Sequence, residues 1–327
     1  MMVKGIIYLQ LVFFLCFACK YSIGDAPNFI SGCGLTFLSS TQINNQLYEV
    51  VVSSKQVLGN QTVRILLPTD YFTSGSSRRY PSLYLLHGAT DNATTWTRPG
   101  KGEAQNITGN ASLITVMPNG DRFGFYTNWV LPGQSAPQNW RTFHMEELVP
   151  WIDLNLRTIA KKEGRAIAGL SMGGFGAMHY AEAYSDNFIY GASFSGVLNL
   201  LDPRVQTLVL NLPGKDNPLI GPFGYPTSPI TSTGWFAADT IAHAAELRNI
   251  SIALLAGNAS TFEATLGDGS FRLHDVLVTL NVPVYFHPYG NGQSIGHGCN
   301  GDHNWGCFNA ALNEVFPRIM AALQQQY

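Results

Sequence analysis

The chain has 327 residues, of which 46% are apolar and 12% charged, and 19 Lys and Arg stand against 21 Asp and Glu for a formal net charge of −2. So much apolar material excludes a wholly disordered chain. The near-neutral balance argues against a nucleic-acid partner, because binding phosphates needs clustered Lys and Arg. Five cysteines are too few for a disulfide scaffold in a chain of this length.

The N-terminus has the pattern of a secretory signal peptide. After Lys4 comes a run of thirteen residues, 6–18, that is apolar except for one glutamine. This run is too short to span a bilayer of about 30 Å as a helix, and it suits the apolar core of a signal. We expect cleavage after Ala18 or Gly24, so that residues 1–24 are the signal. No later stretch suggests stable membrane insertion.

Asparagine glycosylation sequons support an extracellular location. Asn-x-Ser/Thr occurs six times, at Asn60, Asn92, Asn106, Asn110, Asn249 and Asn258. Such sequons are acceptors in secreted chains. The sequence therefore predicts a secreted glycoprotein.

Taken in chain order, the pattern predicts two strands joined by a turn and then an alternation of strands and helices. The expected strands are 47–52, 63–67, 82–86, 112–117, 166–170, 191–195, 252–255 and 284–287, and the expected helices include 142–158 and 175–184. This alternation indicates an α/β protein with a mostly parallel central sheet and helices on both faces. We expect residues 25–327 to form one domain, with an irregular excursion at about 201–240.

The strongest motif is a nucleophile elbow in "AIAGLSMGGFGAM". Gly169 and Gly173 frame Ser171 in a G-x-S-x-G between a predicted strand and a predicted helix. The two glycines remove side chains that would collide in the tight turn. The turn raises the serine hydroxyl at the carboxyl end of the sheet and aims the Met172 backbone N–H at the same point. We therefore predict that Ser171 is a nucleophile.

A serine hydroxyl of ordinary pKa needs a general base to remove its proton. Hydrolases with a nucleophile elbow use a histidine as this base, and their three catalytic residues occur in the chain order Ser, acid, His. Among the histidines after the elbow, His297 and His303 lie in the Gly-rich loop that follows the last predicted strand. The acid is expected after the strand "SIALLAG", where Glu263, Asp268 and Asp275 are candidates and Asp275 lies in a helical pattern. A second oxyanion donor is expected from the loop after "SLYLLHG", and Ala89 has the suitable backbone N–H.

Six segments together resemble the esterase D and trehalose mycolyltransferase branch of the α/β-hydrolases, the antigen 85-like esterases. They are "YPSLYLLHG", "VMPNGDRFGFYTNW", "WRTFHMEELVPWID", "AIAGLSMGGFGAM", "FIYGASFSGVLNLLDP" and "GDHNWGCF", spread over about residues 48–316. The resemblance implies an α/β-hydrolase fold and serine ester chemistry without a cofactor or a metal.

The resemblance also implies which residues act. In this family the catalytic histidine comes shortly after a glycine and precedes x-Trp, which selects His303 in "GDHNW". The mycolyltransferases place a glutamate ahead of the helix before the last strand, which selects Glu263 if that helix starts near Phe271. Asp268, in "LGDGS", is held in reserve, because Asp between glycines usually caps a tight turn. The oxyanion loop "HGAT" departs from the mycolyltransferases, which have an acidic residue and then Gly-Leu-Arg.

The cysteines near the C-terminus admit two interpretations. The spacing of His297, Cys299, Asp302, His303 and Cys307 matches no common zinc pattern, so we expect no metal. A disulfide between Cys299 and Cys307 is favoured in a secreted chain. Cys33 is then left unpaired or bonded to Cys19 or to one of those two.

The sequence thus predicts a secreted serine carboxylic-ester hydrolase that forms an acyl-enzyme. Transfer of the acyl group to an alcohol is the alternative, and a non-catalytic binding glycoprotein is the weaker third hypothesis. The partner is expected to be a small-molecule, lipid or sugar ester. Trp305 and Trp129 are the aromatic side chains expected to contact it.

Overall fold

A computed structural model describes residues 26–133, 136–212 and 218–325. The predicted signal peptide and its cleavage sites lie outside the described residues, so this prediction stays open.

The first strands in the described residues are three antiparallel ones, β1 (Thr36–Gln42), β2 (Leu47–Ser53) and β3 (Asn60–Leu66). The expected pair of strands is present as β2 and β3. Strand β1 was not predicted, because it is an edge strand with mostly exposed side chains, and such a strand lacks the apolar alternation that marks a half-buried one.

The six following strands are parallel to one another. They are β4 (Ser82–Leu86), β5 (Ile114–Pro118), β6 (Arg165–Leu170), β7 (Tyr190–Phe194), β8 (Ser251–Gly257) and β9 (Val284–Gly290). The spatial order is β1-β2-β3-β5-β4-β6-β7-β8-β9, with β3 antiparallel to β5. The carboxyl ends of β6, β7, β8 and β9 therefore lie along one edge of the sheet, where open α/β sheets bind ligands.

Eight helices accompany the sheet in the described residues. They are α1 (Ala104–Thr108), α2 (Trp140–Thr142), α3 (Val149–Asn155), α4 (Met172–Ala183), α5 (Pro203–Leu210), α6 (Gly234–Ala237), α7 (Thr261–Thr279) and α8 (Trp305–Ala322). A π-helical segment, Phe143–Leu148, joins α2 to α3. None of them is long and apolar enough to cross a membrane.

The two faces of the sheet bury separate cores. Since side chains alternate along a strand, Leu86 and Ile167 pack with α3, α4 and α7 on one face. Leu85 and Ala168 pack with α8 on the other. The predicted α/β-hydrolase fold, a mostly parallel sheet with helices on both faces, is confirmed.

The stretch from 201 to 240 is less irregular than expected, because it contains α5 and α6. Helix α5 begins where Asp202 accepts a hydrogen bond from the Arg204 backbone N–H and Pro203 occupies the first turn. Both are ordinary helix-start signals. The many Pro, Gly, Thr and Ser residues in this stretch instead favoured the prediction of irregular structure.

Candidate active site

Ser171 lies in the sharp turn between β6 and α4. Its backbone is left-handed, with φ 54° and ψ −121°, which is strained for a residue with a side chain. A Cβ added at Gly169 would lie 2.1 Å from the Gly173 carbonyl oxygen, and one at Gly173 would lie 2.4 Å from the Leu86 carbonyl oxygen. The two glycines are therefore required by close backbone contact.

His303 faces Ser171 from the loop between β9 and α8. Its Nε2 lies 2.9 Å from Ser171 Oγ, and its Nδ1 lies 2.6 Å from Glu263 Oε2. Because a carboxylate only accepts, Nδ1 carries the proton and Nε2 is free to accept the serine hydroxyl. The structure thus brings together the three side chains that the sequence selected, in the arrangement of a serine-hydrolase triad.

Two aromatic rings and a helix cap position the imidazole. Phe262 and Phe308 contact it edge-on, with ring centroids 4.8 and 4.9 Å away. The Asn304 side chain caps α8 by accepting from the Cys307 backbone N–H. Phe262 is 39% exposed, and its ring covers the histidine at the mouth of the site.

Asp302 precedes the histidine and fixes its backbone. Its carboxylate accepts from the Ser260 hydroxyl at 2.6 Å and from the His303 backbone N–H at 2.7 Å. These hydrogen bonds, with the serine contribution the larger, lower the pKa of Asp302. Asp302 is therefore an ionised anchor for this loop at neutral pH.

Glu263 lies in the first turn of α7 and is fully buried. The helix starts at Thr261, where the Ser260 hydroxyl accepts from the Glu263 backbone N–H. The expected start near Phe271 is therefore wrong. The helix runs through Gly267 and Gly269, whose missing side chains allow close approach: an added Cβ would lie 3.0 Å from the Gly257 carbonyl oxygen and 3.3 Å from the Asn199 nitrogen, respectively.

Asp268 does not occupy the predicted tight turn. It lies within α7 with its side chain exposed, and it pairs with Arg204 at 3.0 Å. The carboxylate that contacts His303 is that of Glu263.

Ser195 and Tyr289 also contact the buried glutamate, and the sequence did not single them out for this. The Ser195 hydroxyl donates to Glu263 Oε1, the Gly257 backbone N–H donates to the same oxygen at 3.0 Å, and the Tyr289 hydroxyl lies 3.5 Å away. No local sequence signal marks these contacts, because Ser195 and Tyr289 meet Glu263 only where β7, β9 and α7 pack together.

The loop after β4 lies against the elbow. A Cβ at Gly88 would lie 2.6 Å from Leu170 Cδ1 and 3.3 Å from Ser171 Cβ. Ala89 follows directly, and Met172 is the first residue of α4, where backbone N–H groups have no partner within the helix. The two expected oxyanion donors are therefore on the segments that border Ser171.

His87 braces this loop from behind. Its ring is fully buried, with Nδ1 2.8 Å from the Gly88 carbonyl oxygen and Nε2 accepting from the Gly120 backbone N–H at 2.8 Å. Burial lowers the pKa of His87. A neutral ring that donates from Nδ1 and accepts at Nε2 satisfies both contacts.

An apolar pocket of about 60 Å³ opens beside Ser171. It is lined by Ala89, Phe125, Ser171, Met172, Val197, Leu208, Val209, Leu212, Phe262 and Leu266. Leu208 and Val209 belong to α5, so the 201–240 stretch does reach the candidate site. Trp129 and Trp305 are not among these lining residues, and their contact with a substrate stays a prediction.

The predicted disulfide between Cys299 and Cys307 is present. It closes the loop that presents His303. Cys33 is exposed and has no partner among the described residues, while Cys16 and Cys19 lie outside them.

A second set of Ser, His and Glu lies at the outer edge of the sheet, and we call it the outer cluster: Ser294, His287 and Glu314. His287 Nε2 lies 2.9 Å from Ser294 Oγ, and Nδ1 lies 2.6 Å from Glu314 Oε1. The Tyr285 hydroxyl donates to the same carboxylate oxygen at 2.7 Å. Hydrogen-bond geometry alone therefore does not distinguish this cluster from the first.

Comparisons with known proteins agree with the resemblance seen in the sequence. The family model described as "Putative esterase" matches residues 54–319. Esterase MT1326 of Mycobacterium tuberculosis (strain CDC 1551 / Oshkosh) is 40% identical over 169 residues, covering 52% of this chain and 36% of that protein. The chain thus spans about a third of the length of that relative.

A longer match covers most of both chains. The diacylglycerol acyltransferase/mycolyltransferase Ag85B of Mycolicibacterium smegmatis is 29% identical over 269 residues, 77% of this chain and 80% of that protein. Among solved structures, the fluorophosphonate-binding serine hydrolase FphF of Staphylococcus aureus aligns with a TM-score of 0.65 and 21% identity, covering 84% of this chain and 97% of that one. This last likeness shows the fold. The predicted resemblance to antigen 85-like esterases is confirmed. The match to the family model agrees with the prediction of an esterase or acyltransferase.

Proposed function

The chain belongs to the "Putative esterase" family, and from this membership we propose that it is a serine carboxylic-ester hydrolase that works through an acyl-enzyme. The observation that carries the proposal is the continuous hydrogen-bonded chain from Ser171 Oγ through the His303 ring to Glu263 Oε2. We assign Ser171 as nucleophile, His303 as general base and then general acid, and Glu263 as the acid that orients the ring.

The acylation step follows from this geometry. Ser171 Oγ bonds to the ester carbonyl carbon while its proton passes to His303 Nε2. The negative charge on the carbonyl oxygen is held by the backbone N–H groups of Met172 and Ala89. The carbon–oxygen bond to the alcohol then breaks, and the alcohol leaves with the proton from His303. The Glu263 carboxylate stabilises the imidazolium between the two transfers.

Deacylation repeats the same steps with water. Water gives a proton to His303 Nε2 and attacks the acyl carbonyl carbon. The bond to Ser171 Oγ breaks, and the serine regains its proton from the imidazolium. The acid is released and the resting site is restored.

The surroundings of the serine support a short apolar acyl group. In the part of the chain that the structure describes, no charged side chain lines the pocket beside Ser171. An apolar lining gains from burying hydrocarbon, and the volume of about 60 Å³ suits a short chain.

Acyl transfer to an alcohol is the second candidate. The match to the acyltransferase Ag85B over 77% of this chain favours it. The acyl-enzyme is common to both reactions, so the acceptor decides between them. Adding glycerol to an ester assay distinguishes the two: a transferase makes the glycerol ester faster than the free acid.

Labelling with a fluorophosphonate tests the nucleophile. We expect one covalent adduct per chain, located by peptide mass spectrometry on Ser171, together with hydrolysis of short p-nitrophenyl esters. Ser171→Ala should lose both, with turnover falling by about three orders of magnitude or more. A folded wild-type protein that is not labelled at Ser171, or a Ser171→Ala variant that keeps ester hydrolysis, would contradict the proposal.

We also propose that the protein is secreted and glycosylated. The apolar run at residues 6–18, the Cys299–Cys307 disulfide and the exposure of all six sequon asparagines support this. N-terminal sequencing of protein recovered from the medium should begin at residue 19 or 25. Treatment with a peptide N-glycosidase should lower the mass of protein from a glycosylating host.

A further inference from the structure

Ser195 occupies an unusual backbone position beside the candidate triad. It directly follows β7, and its φ of 49° places it in the left-handed region that favours glycine. Its side chain is fully buried, and its backbone N–H donates to the Leu255 carbonyl oxygen at 2.8 Å. Because strained backbone positions cluster at functional sites, the hydroxyl of a serine in this position is a candidate for a functional role.

The two oxygens of the buried Glu263 carboxylate have different partners. Oε1 accepts from the Ser195 hydroxyl and from the Gly257 backbone N–H, and the Tyr289 hydroxyl lies 3.5 Å from it. Oε2 is paired with His303 Nδ1. Donors from the ends of β7, β8 and β9 thus converge on one oxygen and leave the other for the histidine.

We propose that Ser195 is a positioning residue for the triad acid. By donating to Oε1 it fixes the plane of the carboxylate, so that Oε2 points at His303, and it stabilises the charge of a group that has no contact with water. The proposal rests on the proposed function, because it assigns Ser195 a task only if Ser171, His303 and Glu263 act as a triad.

The pH dependence follows from the groups that face the carboxylate. The titratable ones are His303 in the loop before α8 and Tyr289 on β9, and Asp302 lies behind His303, where it accepts from the His303 backbone N–H. The residues Ser195, after β7, and Gly257, at the end of β8, contribute uncharged donors. Burial, followed by the charge of Glu263, raises the pKa of Tyr289 well above its usual range, so this phenol stays a neutral donor.

Removing the Ser195 hydroxyl makes the His303–Glu263 pair bind a proton more tightly. Without this donor the carboxylate charge is less satisfied, and a proton added to either partner relieves it. The direction does not depend on which partner holds the added proton, because a proton on either one offsets the same carboxylate charge. The acidic limb of the kcat/KM profile therefore moves to higher pH.

The test compares three variants at and directly after the end of β7. Ser195→Ala and Ser195→Gly both remove the hydroxyl, but only glycine relieves the left-handed backbone. Ser193→Ala is the matched control, since Ser193 is equally buried on the same strand and its hydroxyl has no hydrogen-bond partner among the described residues. Tyr289→Phe removes the more distant hydroxyl from Glu263 Oε1. It provides the test of the same contact if either Ser195 variant does not fold.

We expect both Ser195 variants to lose about tenfold or more in kcat at pH 7 with KM little changed, and their acidic limb to rise by about one pH unit, the size expected for a hydrogen bond to a charged group. Ser193→Ala should match the wild type, and Tyr289→Phe should give a smaller shift in the same direction. An unshifted acidic limb in the Ser195 variants, or full recovery in Ser195→Gly, overturns the proposal. Failure of wild-type labelling at Ser171 overturns the proposed function instead.

Discussion

The candidate triad and the outer cluster contain the same three side chains at nearly the same distances. In both, a histidine Nε2 lies 2.9 Å from a serine Oγ and Nδ1 lies 2.6 Å from a carboxylate oxygen. Their surroundings differ. The Glu263 side chain is 0% exposed and that of Glu314 is 23% exposed.

The two serines differ even more than the two glutamates. Ser171 is buried in a left-handed turn, and the N-terminus of α4 begins at the next residue. Ser294 is exposed in a turn after the edge strand β9. A helix N-terminus offers unpaired N–H groups and a favourable dipole to a developing negative charge. Burial and the adjoining helix N-terminus therefore distinguish Ser171 from Ser294, where the hydrogen bonds do not.

Exchanging the acid for an amide in each set gives the largest expected contrast. Glu263→Gln should lower kcat by about 100-fold or more, because an amide cannot stabilise the imidazolium and favours the wrong ring tautomer. Glu314→Gln should change kcat less than twofold. The measurement is steady-state hydrolysis of a p-nitrophenyl ester.

Asp268→Asn is the control for the other acid considered from the sequence. Asp268 is exposed and paired with Arg204, so its loss should leave kcat near the wild-type value. A larger loss in Asp268→Asn than in Glu263→Gln would move the acidic role to Asp268.

Burial also determines how His144 responds to pH. His144 has a Tyr180 hydroxyl 2.9 Å from Nδ1 and the Asn119 carbonyl oxygen 2.8 Å from Nε2, and it is buried. Burial lowers the pKa of His144 to about 3. Between about pH 6.5 and pH 3 the unfolded chain therefore holds a proton at this residue that the folded chain does not. The free energy of unfolding must fall as the pH falls through this window, by about 1.4 kcal/mol per pH unit from this group.

His144→Gln tests this dependence. The amide can keep both hydrogen bonds but cannot titrate, so the variant should lose less stability than the wild type on going from pH 6.5 to pH 5, by about 2 kcal/mol. Urea unfolding at several pH values measures the slope. Equal slopes for the wild type and His144→Gln would show that His144 is not held neutral.

Much of the candidate site could be predicted from the sequence, because the main signals for it are local motifs. The elbow glycines and the Gly-rich loop around His303 are contiguous motifs, and the strand alternation places both at one edge of the sheet. Glu263 came from family resemblance. Its partners Ser195 and Tyr289 could not be predicted, since they meet it only when β7, α7 and β9 pack together. The start of α7 was predicted too late, near Phe271 instead of Thr261, because Gly267 and Gly269 favour a turn when only the local sequence is considered.

We expect the smallest effects on ester hydrolysis from substitutions of the serine and the histidine of the outer cluster. Ser294→Ala and His287→Asn should each change ester hydrolysis less than twofold, because Ser294 lies in an exposed turn instead of at a helix N-terminus. Fluorophosphonate labelling of the wild type should give no adduct on Ser294, even at reagent concentrations that saturate Ser171. His287→Asn still removes the hydrogen bond to Ser294 in the loop 291–304, so a fall of a few tenths of a kcal/mol in the free energy of unfolding is expected. An adduct on Ser294 that His287→Asn abolishes would show that hydrogen-bond geometry suffices to activate a serine, and it would remove the distinction between the two sets.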